Sequence, residues 1–171
     1  MKATGVIRRI DNLGRIVIPK EIRKNLRIKS GDNLEIFINE KENIILTKYN
    51  QIDKLKDIAK ELVNSIYYTT KNNVFITNTS SVIASNEKKQ TNKEISEYLT
   101  NIIKKRQILI NEGEIKLIEN NEDNTNYAIF PIIANGDIFG SIVMTSKKQI
   151  DDINLNIIKT ASKFLSNHIE G

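Results

Sequence analysis

The first fifty residues offer a core only four short apolar runs and one short helix, and that shortage limits what the chain can fold into. Residues 6–10 and 15–18 read as strands around the turn signal Asp11-Asn12-Leu13-Gly14. Pro19 then opens a helix over residues 19–28, since its fixed φ suits a first helical position and its missing N–H would be unpaired there anyway. Ser30-Gly31-Asp32 predicts the stop, with Gly31 in the left-handed C′ conformation. Leu34-Glu35-Ile36-Phe37-Ile38 and Ile44-Ile45-Leu46-Thr47-Lys48-Tyr49 follow as strands across a turn at 39–43. The order is β-β-α-β-β. A helix this short does not hold in water unaided, and a domain of about 50 residues buries too little surface to stand alone. The chain has no Cys, so neither a disulfide nor a thiolate metal site compensates. A dimer is the remaining solution, and interleaved strands would also remove exposed edges.

Arginine usage says what such a dimer could hold. The chain has 20 Lys but only 6 Arg, and five of those six (Arg8, Arg9, Arg15, Arg23, Arg27) precede residue 28. A planar guanidinium is preferred where phosphate or a base edge must be gripped in fixed geometry. Residues 1–50 hold 11 Lys/Arg against 6 Asp/Glu, whereas residues 51–171 balance at 15 each. That asymmetry is the footprint of a nucleic-acid module beside a neutral partner domain, with a merely solvated basic face as the bland alternative. In the helix, Ile22 and Leu26 stand four apart and are expected to point into a core. Lys20, Arg23, Lys24 and Arg27 then meet water or a polyanion. Lys20, Lys24 and Arg27 are expected to neutralise phosphates, giving affinity that falls steeply with salt. Arg8, Arg15 and Arg23 could reach a groove. The arm presents no Asn/Gln pair for direct readout, so narrow A-tracts and deformability are expected to set site choice. Asp11 and Glu21 read as structural, a turn residue and a first-turn helix carboxylate.

The strings Lys2-Ala3-Thr4-Gly5-Val6-Ile7-Arg8-Arg9-Ile10-Asp11, Leu13-Gly14-Arg15-Ile16-Val17-Ile18-Pro19-Lys20-Glu21-Ile22-Arg23, Gly31-Asp32 and Leu34-Glu35-Ile36-Phe37 resemble the AbrB-type swapped-hairpin DNA-binding domain of bacterial transition-state regulators. The resemblance covers residues 1 to about 50. It implies an interleaved swapped-hairpin β-barrel dimer and DNA contact by Arg8, Arg9, Arg15, Arg23 and Lys24. Related chains often carry Pro just after Lys48-Tyr49, where this one has Asn50-Gln51. The same small barrel occurs in antitoxins, which makes an antitoxin-type protein-interaction module the alternative function. Against it, residues 51–171 are patterned as a folded domain, not as a disordered acidic tail.

From Gln51 the pattern changes. Ile52, Leu55, Ala59, Leu62 and Ile66 form an a/d seam of two heptads, either a dimer coil or a plain amphipathic helix packed on its own domain. Residues 73–84 read as two strands with a polar turn. Thr91-Asn92-Lys93-Glu94 is a capping box opening a helix through Ile95, Leu99 and Ile102 that ends in Lys104-Lys105-Arg106. That triplet is a second basic patch or, more simply, the cations that suit a helix C-terminus. Residues 107–110 and 115–118 are expected to pair as a hairpin, and 120–126 to form an acidic loop. Residues 127–134 and 137–144 flank Asn135-Gly136, the strongest hairpin signal present, with Pro131 implying an edge or a bulge. Ile150, Ile153, Ile157, Ala161 and Phe164 mark the apolar stripe of a final helix, with Asp151-Asp152 in its first turn.

The fold class is therefore α+β: a swapped-hairpin domain (1–50), a linker or dimer helix (51–70) and a regulatory and oligomerisation domain (71–171). The last resembles the GAF/PAS-like sensor fold through Phe75-Ile76-Thr77 with Val82-Ile83-Ala84, and Pro131-Ile132-Ile133 with Gly136-Asp137-Ile138-Phe139-Gly140. Joined, the two modules resemble sporulation regulators of endospore-forming bacteria. This implies activation and repression of late sporulation genes, homotetramers built through the C-terminal domains, and a place in the developing spore. The expected partner is double-stranded DNA, A·T-rich by the shape argument.

Catalysis is not expected. The single His168 sits in the final helix, no Gly-rich phosphate loop exists, and Glu112, Glu114, Glu119, Glu122 and Asp123 read as a solvated acidic rim. No cofactor and no metal are expected. The cyclic-nucleotide motif of some GAF domains is missing, so neither cGMP nor cAMP is assigned. A cavity in the sensor-like sheet could hold an unidentified small molecule. With no run of 18 apolar residues and no secretory h-region, the expectation is a cytoplasmic, nucleoid-associated protein without a membrane.

Overall fold

A computed structural model of the chain describes residues 5–26, 28, 30–111, 113–118, 123–124 and 126–170. It divides into two units, Met1–Tyr49 and Asn50–Gly171. Arg27, Glu112, Glu119 and Glu122 lie outside the described residues.

In the first unit the turn forms as expected. The Asp11 amide donates to the Arg15 carbonyl (3.0 Å), the Gly14 amide donates to the Asp11 carbonyl (3.0 Å), and Gly14 takes φ +75°. The flanking segments 6–10 and 15–18, expected as strands, are assigned to no strand. Short apolar runs of this kind suit a sheet, but a ladder needs a partner edge. Helix α1 is Lys20–Asn25, shorter at both ends than the span 19–28. Pro19 is its N-cap rather than its first helical residue, and the Pro19 carbonyl accepts the Arg23 amide at 2.9 Å. At the far end the Ile28 amide closes on the Arg23 carbonyl (2.8 Å), so the helix stops before Gly31. Gly31, at φ +89°, serves the following turn instead of a C′ position.

Strands β1 (Leu34–Ile38) and β2 (Ile44–Lys48) pair antiparallel, from Leu34 opposite Lys48 to Ile38 opposite Ile44. The Asn39 side chain closes the connection by accepting the amides of Lys41 and Asn43. Among the described residues before Tyr49 none is buried. Ile22 is only half-buried and Leu26 is exposed, so the predicted core behind α1 does not form within one chain.

The second unit has a full core. A 3-10 turn (Gln51–Leu55) leads into α2 (Lys56–Thr70), then β3 (Asn73–Thr77), β4 (Val82–Ser85) and α3 (Glu97–Lys105). β5 (Leu109–Asn111), β6 (Glu114–Ile115), β7 (Asp123–Asn124), β8 (Asn126–Ala134), β9 (Asp137–Ser146) and α4 (Asp152–Glu170) complete it. The main sheet is antiparallel in the order β4-β3-β9-β8-β5. Period-two alternation divides its side chains. Val74, Ile76, Ala128, Phe130, Ile132, Ile142 and Met144 meet the 3-10 turn, α2 and α4 on one face. Phe75, Tyr127, Ile129 and Val143 meet α3 and the Leu117-Ile118 segment on the other. Each fully buried aliphatic contributes about 1.5–3 kcal/mol, and both faces are filled.

The apolar stripe of α2 is spent on this sheet, with Ala59, Val63 and Ile66 buried and Leu62 half-buried against the same cluster. The 3-10 turn is fastened too, because Asn78 Nδ2 donates to Asp53 Oδ1 at 2.9 Å. Asn78 Oδ1 accepts the Ser80 and Ser81 amides, which shapes the β3–β4 turn. The β8–β9 hairpin follows expectation: Asn135 (φ 48°) and Gly136 (φ 79°) form a two-residue turn with both φ positive. A register shift falls between Ile132 and Ile133, beside Pro131. Gly140 is needed where it stands, since a Cβ there would lie 1.8 Å from the Thr77 carbonyl oxygen.

Three expectations are corrected. Helix α3 is capped by Ser96, whose hydroxyl accepts the Leu99 amide at 3.1 Å, and not by the box at Thr91. Glu94 and Ile95 are instead drawn into bridges with Ser81 and Ile118. Residues 109–111 pair with β8 and not with 115–118, while β6 pairs with β7. On α4 the buried face is Ile158, Ala161, Leu165 and Ile169, so Ile153 (72% exposed) and Phe164 (41%) turn away from the sheet.

Candidate nucleic-acid interface

Of the predicted cations, Arg8, Arg9 and Arg15 lie in the segments flanking the turn, and Lys20, Arg23 and Lys24 on α1. Arg8, Arg9, Arg15, Lys20 and Lys24 are exposed, and Lys20 and Lys24 share a helix face four residues apart. Arg8 Nη1 donates to the neighbouring Ile7 carbonyl (3.0 Å). Arg23 differs: it is half-buried, and its Nε is buried without a hydrogen-bond partner. Nothing is assigned to Arg27.

Arg15 is the most constrained of the exposed cations. Its Nε donates to Asp11 Oδ2 at 2.8 Å. The other Asp11 oxygen accepts the amides of Leu13 (3.0 Å) and Arg15 (2.8 Å). The Arg15 amide, then its guanidinium, then the Leu13 amide hold the Asp11 carboxyl below its usual range. Sequence reasoning saw Asp11 as a turn residue only. The i, i+4 spacing to Arg15 was the available signal for the pair.

The Lys104-Lys105-Arg106 triplet occupies the last turn and the left-handed C-cap (Arg106, φ 58°) of α3, the placement in which cations complement a helix C-terminus. Elsewhere in the second unit, Leu62, Ile66, Ile153, Ile157, Ala161 and Phe164 line an apolar groove of about 580 Å³ between α2 and α4. A smaller, more polar cavity of about 350 Å³ is lined by Asn111, Asn126, Tyr127 and Gln149. Among the described residues no group of His, Cys, Asp and Glu could hold a metal, and no helix is long and apolar enough to cross a membrane.

Residues 54–170 match the family described as stage V sporulation protein T C-terminal, transcription factor. Stage V sporulation protein T of Bacillus subtilis (strain 168) is 41% identical over 177 aligned residues, covering 99% of each chain. The chain belongs to this family. Transcription factors of the stage V sporulation protein T type thus set the class of the molecule, a sporulation transcription regulator. Residues 7–54 match a second family, antidote-toxin recognition MazE, bacterial antitoxin. The transition state regulatory protein AbrB of Bacillus subtilis (strain 168) is 53% identical over 49 residues, covering 29% of this chain and 50% of that one. Two solved structures resemble the second unit. The GAF domain of the nutrient sensor CodY from Clostridium difficile has TM-score 0.51 at 15% identity, covering 70% of this chain and 93% of that one. The GAF domain of an Acinetobacter phosphoenolpyruvate-protein phosphotransferase has TM-score 0.56 at 14% identity, covering 67% and 81%. At such identities the likeness shows the GAF-like fold alone.

Proposed function

We propose that the chain binds A·T-rich double-stranded DNA and both activates and represses sporulation genes, from the cytoplasm and nucleoid of the developing spore. Residues 1–50 work as an interleaved dimer whose duplex contacts are Arg8, Arg9, Arg15, Lys20, Arg23, Lys24 and Arg27. One observation carries this reading: the first unit exposes large apolar side chains such as Ile7, Val17, Ile36 and Ile38, buries none among its described residues, and concentrates the guanidinium groups. A second copy is the natural cover for the apolar side, while the exposed cations Arg8, Arg9, Arg15, Lys20 and Lys24 remain accessible to phosphate. A two-fold dimer presents the arm twice and favours a pseudo-palindromic site. Residues 51–70 connect this domain to a regulatory domain at 71–171. There the α2–α4 groove is the surface through which two dimers join as a homotetramer, raising avidity without new DNA contacts. A small molecule in the GAF-like domain would act by changing how the dimers are held.

A second reading has the antitoxin-family match at residues 7–54 in its favour, and makes the first unit a protein-binding module. The second unit weighs against it, since it is built around packed cores and not as a disordered acidic segment of the kind that wraps a toxin. Titrating full-length protein against A·T-rich and mixed duplexes across salt, with mass measured in parallel, separates the two. The DNA reading expects a tetramer mass and a log–log salt slope of about −5 for some six neutralised phosphates. Arg15→Ala should weaken binding roughly tenfold. Unaltered binding after Arg8→Ala and Arg15→Ala together would remove the arm from DNA recognition.

A further inference from the structure

We propose that Asp11 is a positioning residue for duplex selectivity: it fixes the direction in which Arg15 offers its two terminal nitrogens. The proposal rests on the DNA reading above and deepens it.

Both Asp11 oxygens are engaged, Oδ1 by the Leu13 and Arg15 amides and Oδ2 by Arg15 Nε at 2.8 Å. The turn does not need the side-chain pair, because backbone bonds between Asp11 and Arg15 and between Gly14 and Asp11 already close it. Nor does the pair add much to stability. The Arg15 and Asp11 side chains are 71% and 43% exposed, and ion pairs that wet contribute little. Its effect is geometric. A guanidinium carries five donors in a rigid fork, so holding its Nε–H on Asp11 fixes the plane of the group and leaves its end edge, with one N–H from each Nη, unspent by this pair. An arginine held this way loses less rotamer freedom when it meets a narrow groove, which raises affinity for the shape it fits. The same carboxylate repels phosphates on every duplex, so it lowers indiscriminate binding. The two effects have opposite signs, and a merely structural turn residue would not produce both.

The test uses full-length protein and two duplexes of equal length, one A·T-rich with A-tracts and one G·C-rich. Asp11→Asn keeps an acceptor for the two amides but removes the charge and sets an amide donor against Arg15 Nε. The A·T-to-G·C affinity ratio should fall roughly threefold to tenfold, while G·C-rich binding holds or strengthens. In an Arg15→Ala background, Asp11→Asn should leave the ratio unchanged. Asp11→Glu, charged but longer, should lower the ratio without strengthening G·C-rich binding. The ratio comes from one preparation, so any unfolded fraction cancels. A ratio within twofold of wild type in Asp11→Asn, alongside a lowered ratio in Arg15→Ala, overturns the positioning role alone. Equal losses on both duplexes overturn it as well, since they mark a damaged turn. If Arg8→Ala and Arg15→Ala also leave both affinities unaltered, the DNA reading itself fails and the proposal with it.

Discussion

Strands β1 and β3 are both five residues long and rich in Ile, Phe and Leu or Val, yet they meet different fates. Val74, Phe75, Ile76 and Thr77 of β3 are all buried, while Ile36, Phe37 and Ile38 of β1 are exposed. The difference is not in their local pattern. β3 lies between β4 and β9 with helices on one face and α3 on the other, whereas among the described residues β1 has only β2 beside it. Apolar alternation states that a face must be covered. It does not state which chain supplies the cover.

The sharpest way to break that comparison is to separate the units. A fragment of residues 1–50 should lose its fold on dilution, with a melting temperature that rises with protein concentration. Residues 50–171 should keep their secondary structure when unassembled. A concentration-independent melt of the short fragment would mean that the first unit has a core of its own.

Within the second unit, Gly140→Ala forces a Cβ into the Thr77 backbone and should cost about 3 kcal/mol or more in urea unfolding. Ile76→Ala, at a fully buried site, should cost 2–5 kcal/mol by the same measurement. Ile38→Ala in the first unit should instead shift the dimer dissociation constant, read by analytical ultracentrifugation. A smaller effect is expected at the α2–α4 groove. Ile153→Ser should reduce the assembled mass while changing second-unit stability by less than about 0.5 kcal/mol, as for other exposed sites.

The smallest effect is alkaline. Partial burial of the Tyr98 hydroxyl, and then its hydrogen bond with Tyr127 (3.1 Å), pushes Tyr98 up to about 12. A phenol held neutral by the fold contributes its stabilisation fully below the ordinary value of 10.0, and loses it as pH climbs toward 12. Phenolate absorbance should therefore carry a component delayed toward 12 that Tyr98→Phe removes, and the same substitution should flatten the loss of stability across that interval. A tyrosine set that titrates together near 10 would contradict it.

How much of this was legible in the sequence depended on distance along the chain. Asn135-Gly136 carries its turn type in two adjacent residues, and the hairpin stands where its dipeptide places it. The capping box failed because a better-placed Ser96 competes, and because Glu94 and Ile95 bridge to residues remote in sequence. β5 pairs with β8 for the same reason: the nearest strand in sequence is not the partner. Around α4 the spacing picks out Ile150, Ile153, Ile157, Ala161 and Phe164, of which Ile150 and Ala161 are buried and Ile157 packs partly on the core, while the buried Ile158, Leu165 and Ile169 escape it. Periodicity marks an apolar side but does not fix which face meets the sheet. At the arm, the exposed cations were visible from composition, whereas the inward Nε of Arg23 depends on packing that no spacing rule encodes.

The link between Asn78 and Asp53 has a mechanical consequence. Asp53 lies just beyond the point where the first unit ends, and one amide pins it to the bend connecting β3 with β4. The opening 3-10 turn of the second unit is therefore fastened to that unit's own sheet. A displacement of that bend would be felt at the second unit's first turn, which the buried Ile52 also holds.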